Sequence, residues 1–290
     1  MGASFAKVST NLPPSSSSTS SPLEDIPENC ISIVFMYLDP PEICNLASLN
    51  HAFRSSSSAD FVWESKLPSN YIFLLHRVLQ LQQLTAHPKK EIFATLTRPS
   101  LFDHATKEFW LDKKSGENFI SISSKALKIT GIDDRRYWNY IPTDESRYGS
   151  VAYLKQIWWV EIGGELEFEL PKGKYSVYFR VQLGKSSKKF GRRFIDVGEV
   201  HGWELKPVRF ELSVSNNNNK NGQKVSSEFY LNQFGKWVLY KVGDFCIESP
   251  NFVAQIKFSM IQIDCTHTKG GLSVDSVFIC PHHFKPTFSL

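Results

Sequence analysis

Between residues 26 and 67 the apolar positions recur at helical spacing. Ile31, Val34, Phe35 and Leu38 fall at i, i+3, i+4 and i+7, which predicts one stripe of a short helix. Pro27 suits the first turn, where its missing N–H is no loss. Asp39 has the form of an N-cap, with Pro40 at the first helical position and Glu42 three residues on, a capping-box pattern. The second helix is expected to carry Ile43, Leu46, Ala47, Leu49 and Phe53. Ser58 and Asp60 are candidate caps for a third, ending near Trp63 and Leu67. Three helices this short cannot bury a self-sufficient core. Either a partner completes it, or the module caps the domain after it.

Residues 68–104 read as a helical connector. Tyr71, Leu74, Leu75, Val78, Leu79, Leu81 and Leu84 support one helix, which Pro88 stops, and residues 91–97 a second before Pro99. After about residue 105 the period changes to two. Leu166, Phe168 and Leu170 alternate with Glu165, Glu167 and Glu169. The same holds for the runs around Tyr175–Leu183, Phe210–Val214, Phe252–Met260 and Val274–Cys280. Short alternating strands between Gly, Pro and Asn predict a mainly β fold, an antiparallel sandwich over residues 105–286. Residues 150–155 are the best helix candidate within it, and Asn216 to Gly222 reads as a long polar hairpin loop. Residues 1–21, rich in Ser, Thr and Pro, are expected to be disordered.

Composition narrows the chemistry. A net charge of +4 is too mild to argue for nucleic acid, and no apolar run is long enough for a membrane span. Five cysteines without a C-x-x-C, and no N-x-[ST] sequon, suit a reduced compartment, the nucleus and cytoplasm. No nucleophile elbow, P-loop or H-E-x-x-H occurs, so a non-catalytic chain without cofactor is expected. Cys265, His267, Cys280, His282 and His283 lack the tight pairing of a zinc site. Lys185, Lys188, Lys189, Arg192 and Arg193 are read as a solvated basic loop.

Two resemblances rest on particular residues. Leu23 with Ile26-Pro27, the Leu38-Asp39-Pro40 break, and the spaced Leu46, Leu49, Phe53 and Trp63 resemble an F-box over residues 22–67. That resemblance implies docking on a Skp-type adaptor of a cullin-based ubiquitin ligase, through Leu23, Ile26, Pro27, Ile31, Val34, Leu38, Pro40 and Ile43. Further on, Ser124-Lys125-Ala126-Leu127, Tyr137-Trp138-Asn139-Tyr140, Trp158-Trp159-Val160-Glu161, Gly235-Lys236-Trp237 and Gly270-Gly271-Leu272-Ser273 resemble the phloem protein 2 family of plant lectins. This implies a jelly-roll-like β-sandwich with affinity for N-acetylglucosamine oligomers or N-glycan cores. The family's sugar site joins two tryptophans and an acidic residue. Only Trp138 matches, because Gly131 and Leu239 occupy the other two positions. Tyr137, Tyr140 and Asp133 are the neighbours that would complete a different target site. Of Trp158 and Trp159, at least one is expected in the core, since adjacent strand residues face opposite ways.

The whole chain therefore reads as a target-recognition subunit of a ubiquitin ligase, with capture through a glycan or a protein surface. A lectin with a secondary ligase role is the rival.

Overall fold

The computed structural model describes residues 26–80, 87–189, 192–216, 219–249 and 252–284. The expectations for residues 1–21, for Leu23 and for Leu81 and Leu84 lie outside them.

Among the described residues, four short helices build the N-terminal module: α1 (Glu28–Phe35), α2 (Pro40–Leu46), α3 (His51–Ser56) and α4 (Asp60–Glu64). The expected second helix divides at Asn50. Its backbone is extended, and its Oδ1 accepts the Phe53 N–H at 2.8 Å, so it caps α3. Glu42 meets its capping-box role by accepting the Asp39 N–H at 3.0 Å. The stripe on α1 differs from the expected one. Ile31 and Phe35 turn inward, Val34 points out, and Leu38 lies beyond the helix and is half-buried. Serines fix this rotation. Ser32 Oγ donates to the Ser56 carbonyl and Ser56 Oγ to the Glu28 carbonyl, while Phe35 meets Phe53 edge-on at 5.8 Å. Ser57 adds its carbonyl, which accepts the Trp63 indole N–H at 2.6 Å.

The connector holds α5 (Tyr71–Arg77) and α6 (Lys89–Leu96). The first strand begins before the expected boundary. The strands are β1 (Ser100–Phe102), β2 (Lys107–Leu111), β3 (Asn118–Ser123), β4 (Lys128–Ile129), β5 (Trp138–Pro142), β6 (Ser150–Leu154), β7 (Val160–Leu170), β8 (Gly173–Leu183), β9 (Lys185–Lys189), β10 (Arg192–Asp196), β11 (Val208–Asn216), β12 (Asn219–Phe229), β13 (Trp237–Ile247), β14 (Phe252–Gln262) and β15 (Leu272–Pro281). All but β9 and β10, which pair only with each other, form two antiparallel sheets, face to face. In one, β15 is central, with β8 and β13 on one side and β3 and β6 sharing the other. The second runs β12-β11-β14-β7-β4. Phe179 of the first sheet meets Phe210 and Phe258 of the second at 5.7 and 6.0 Å.

Four expectations within the sandwich are corrected. Residues 150–154 are strand β6, not helix, and Val151 to Leu154 are all buried. A strand covered on both faces loses the alternation that marks strands in sequence. Residues Asn216 and Asn219 pair with each other, so most of the expected long loop belongs to β11 and β12. In β15 a bulge between Val274 and Ser276 reverses the facing of the residues after it. Val277 and Ile279 join the main core, while Phe278 and Cys280 join Phe119 and Trp110 on the other face. The basic run is a two-stranded ribbon, with Lys189 registered opposite Arg192 and Lys188 opposite Arg193.

The helices are seated on the sandwich. Phe73 of α5 stands edge-on to Phe168 of β7 at 5.0 Å, and Trp63 of α4 packs on Phe93 of α6. Asn70 Nδ2 donates to the Glu169 carbonyl at 2.6 Å. Gly116, at φ +70°, lets the β2–β3 turn meet the Lys66 carbonyl, which would lie 2.6 Å from any Cβ there. One apolar cluster therefore runs from Ile31 of α1 to Ile279 of β15.

Asn50→Ala removes the α3 cap and is expected to cost about 1 kcal/mol, read from the denaturation midpoint of the full chain. Asn50→Asp, which keeps the acceptor, is expected to stay close to the native value.

Candidate functional site

The helical module leaves an apolar face uncovered. Ile33, Val34 and Tyr37 are exposed, Val34 by 57% and Tyr37 by 86%, with Ile26, Pro27 and Cys30 exposed beside them. Cys30 and Ile33 lie on the side of α1 opposite Ile31 and Phe35, with Ile26 just before the helix and Tyr37 just past its end. Leu49 extends the exposed apolar surface beyond α2. Of the residues the sequence assigned to docking, Ile26, Pro27 and Val34 are exposed and Leu38 is half-buried. Ile31, Pro40 and Ile43 are buried in the module's own interior and so are corrected from contact to support. Ile33 and Tyr37, exposed beside them, were not among the residues assigned. The available signal was that α1 is apolar around most of its circumference, more than one inward stripe requires.

On the sandwich, the structure removes Trp138 as a stacking surface. The residue is 1% exposed, and its indole N–H donates to the Thr130 carbonyl at 3.1 Å. A ring closed in on both faces has none left for a pyranose. Gly131 at φ +80° turns the chain, and the Asp134 N–H donates back to its carbonyl. Arg136 pairs with Asp134 at 2.6 Å and lies over the half-buried Tyr137 ring. Hydrogen bonding from Arg136 holds the Asp134 carboxyl below its ordinary range. Asp133 and Tyr140 remain exposed and close enough to interact: burial, and then the Asp133 charge, raises the Tyr140 phenol. Leu239 is registered opposite Arg180, whose guanidinium is buried, pairs with Asp275 at 2.7 Å and covers the Trp237 ring at 4.4 Å.

The exposed aromatics lie elsewhere. Trp158 and Trp159 are both open to solvent, by 51% and 42%, contrary to the expectation that one would enter the core. The alternation argument fails because the chain bends here between β6 and β7; Ile157 and Val160 take the buried positions instead. The bend is held from below by Lys269, which is fully buried. Its Nζ donates to the carbonyls of Trp158 at 2.7 Å and His267 at 3.2 Å, and to that of Asp264. Burial lowers the Lys269 pKa, opposed by the nearby Asp264 charge. Ile263, across from this bend, is also exposed. Position alone hid this site, since a Trp pair at a strand end reads as core until the bend is seen.

Known proteins share both halves of this arrangement. The chain matches the family model for phloem protein 2 over residues 117–281 and the F-box domain model over residues 23–65. It is 56% identical over 259 residues to F-box protein PP2-A13 of Arabidopsis thaliana, covering 89% of this chain and 88% of that protein. It is 52% identical over 269 residues to F-box protein PP2-A12 of the same plant, covering 91% and 89%. Among solved structures, TmCBM61 in complex with β-1,4-galactotriose is similar with a TM-score of 0.31 and 16% identity, over 54% of this chain and 88% of that one.

Substitution separates the two kinds of tryptophan. Trp138→Ala is expected to destabilise the sandwich by about 3–5 kcal/mol. Trp158→Ala is expected to stay within about 0.5 kcal/mol of the native protein. Thermal or denaturant unfolding of the two variants checks both.

Proposed function

From the premise that the chain belongs to the F-box proteins carrying a phloem protein 2 domain, we propose that it is the target-recognition subunit of a Skp-cullin-F-box ubiquitin ligase. The observation that carries this reading is the uncovered apolar face of α1, presented by a module whose last helix packs on α6 of the connector, while α5 and Asn70 seat that connector on the sandwich. Exposed side chains such as Val34 and Tyr37 gain stabilisation only when a partner removes them from water. A Skp-type adaptor fills that role. The sandwich then captures a target, and tethering raises the local concentration of target lysines near the ubiquitin-loaded enzyme. That is a proximity effect and requires no reacting side chain here.

The burial of Trp138 and the presence of Leu239 argue that the target is read differently from the tobacco-type lectin site. Capture of a glycan is the second reading, supported by the exposed Trp158 and Trp159, whose rings have the flat apolar faces that sugars stack against.

Val34→Asp tests the docking face without disturbing the module's interior. A carboxylate trapped unpaired in an interface costs about 3–5 kcal/mol, so co-purification with a Skp-type adaptor is expected to be lost while the helical content is retained. Undiminished co-purification places the adaptor elsewhere.

A further inference from the structure

We propose that the cleft between the helical module and the sandwich is a binding site for a compact polyphosphorylated anion. The cleft has a volume of about 400 Å³ and four walls: the end of α4 and its succeeding turn, the β2–β3 turn, the β7–β8 turn and the end of β15. That size lies in the range of small-molecule sites. The walls are held together by the Gly116 contact with the Lys66 carbonyl and by the Asn70 hydrogen bond to Glu169, so the cleft is built into the packing of the two units.

Its charge is one-sided. Lys66, Lys172, Lys174, His282 and His283 line it, against the single carboxylate of Glu117. Glu117 is paired with His283 at 3.0 Å. Asp244, next to the cleft, is occupied by His282, Lys241 and Ser176, and Asp39 faces Lys114. Lys172 and Lys174 are exposed and have no carboxylate partner among the described residues. Lys66 donates one hydrogen bond to the Met36 carbonyl and keeps two N–H groups; burial lowers its pKa, with Asp39 opposing. Three lysines on the walls, from two structural units, match several phosphoryl oxygens better than one carboxylate.

Asn118 adds selectivity. It is 3% exposed and lines the cleft, and its Oδ1 has no hydrogen-bond partner while its amide nitrogen donates to Asn70. An unmet buried acceptor calls for a donor. The Asn118 Oδ1 is closed off from solvent in the free protein, so a ligand reaches it by a shift of the side chain; the O–H of a hydrogen-phosphate group is then the donor near neutral pH, and sulfate has none.

The test is calorimetric titration of the full chain with sodium tripolyphosphate at constant ionic strength, beside sodium sulfate. Saturable binding is expected, with sulfate at least about tenfold weaker, or about 1.4 kcal/mol. Lys172→Glu with Lys174→Glu, both surface changes, is expected to weaken tripolyphosphate at least tenfold without changing the melting temperature of the free protein. Lys224→Glu, on the far sheet, is expected to leave it unchanged. Absence of saturable binding, equal affinity for sulfate, equal affinity in the double variant, or an equal loss in Lys224→Glu each overturns the proposal. Adaptor binding plays no part in the measurement, so its outcome is independent of the ligase reading.

Discussion

The structure depends on a shared core. The helical module is too small to stand alone, and its core continues through the connector helices into that of the sandwich. Trp63 rests on Phe93, Phe73 on Phe168, and Asn70 ties the seam to β7. What the sandwich does not cover is the outer side of α1. The expected choice between a module completed by a partner and one that caps the next domain therefore has a combined answer. The inner side of α1 packs on α3, the module's core continues through α4 and α6 toward the sandwich, and the outer side is left uncovered.

For the tethering role proposed above, a rigid seam matters. The distance between a captured target and the transferring enzyme is set by how the docking face sits relative to the target surface. A flexible linker would spread that distance and lower the effective concentration at any one point. Here Gly116 and Lys66 make backbone contact, which leaves little slack. The bend carrying Trp158 and Trp159 is likewise stiffened by Lys269, an ammonium bound by three carbonyls in place of water. Both exposed surfaces are thus carried on fixed supports.

Much of this was legible in the chain. The alternation of Leu166, Phe168 and Leu170 with glutamates appears directly as β7, and the proline-flanked capping pattern appears as α2. The failures have physical causes. Residues 150–154 lack alternation because they are buried on both faces. The bulge in β15 shifts Phe278 and Cys280 to a second cluster by one inserted residue, which no period analysis registers. Asn50 ends one helix and begins another by a single side-chain hydrogen bond. For the site, the docking motif was readable, but which of its apolar residues face outward depends on the Ser32 and Ser56 hydrogen bonds that set the rotation of α1. Trp138 was misplaced because large rings serve cores and ligand sites alike, and only its burial separates the two.

The claim that the helical module and the sandwich share one core is tested most directly by unfolding the full chain while monitoring the two parts separately. Native-state hydrogen exchange across a denaturant series does this, with amides of α4 and α6 compared with those of β8 and β15. The account predicts that α4, α6 and the central strands reach the same opening free energy and are lost in one transition. If the helices exchange through a separate, lower-energy unfolding while the strands stay protected, the module is an independent appendage and the shared core is contradicted.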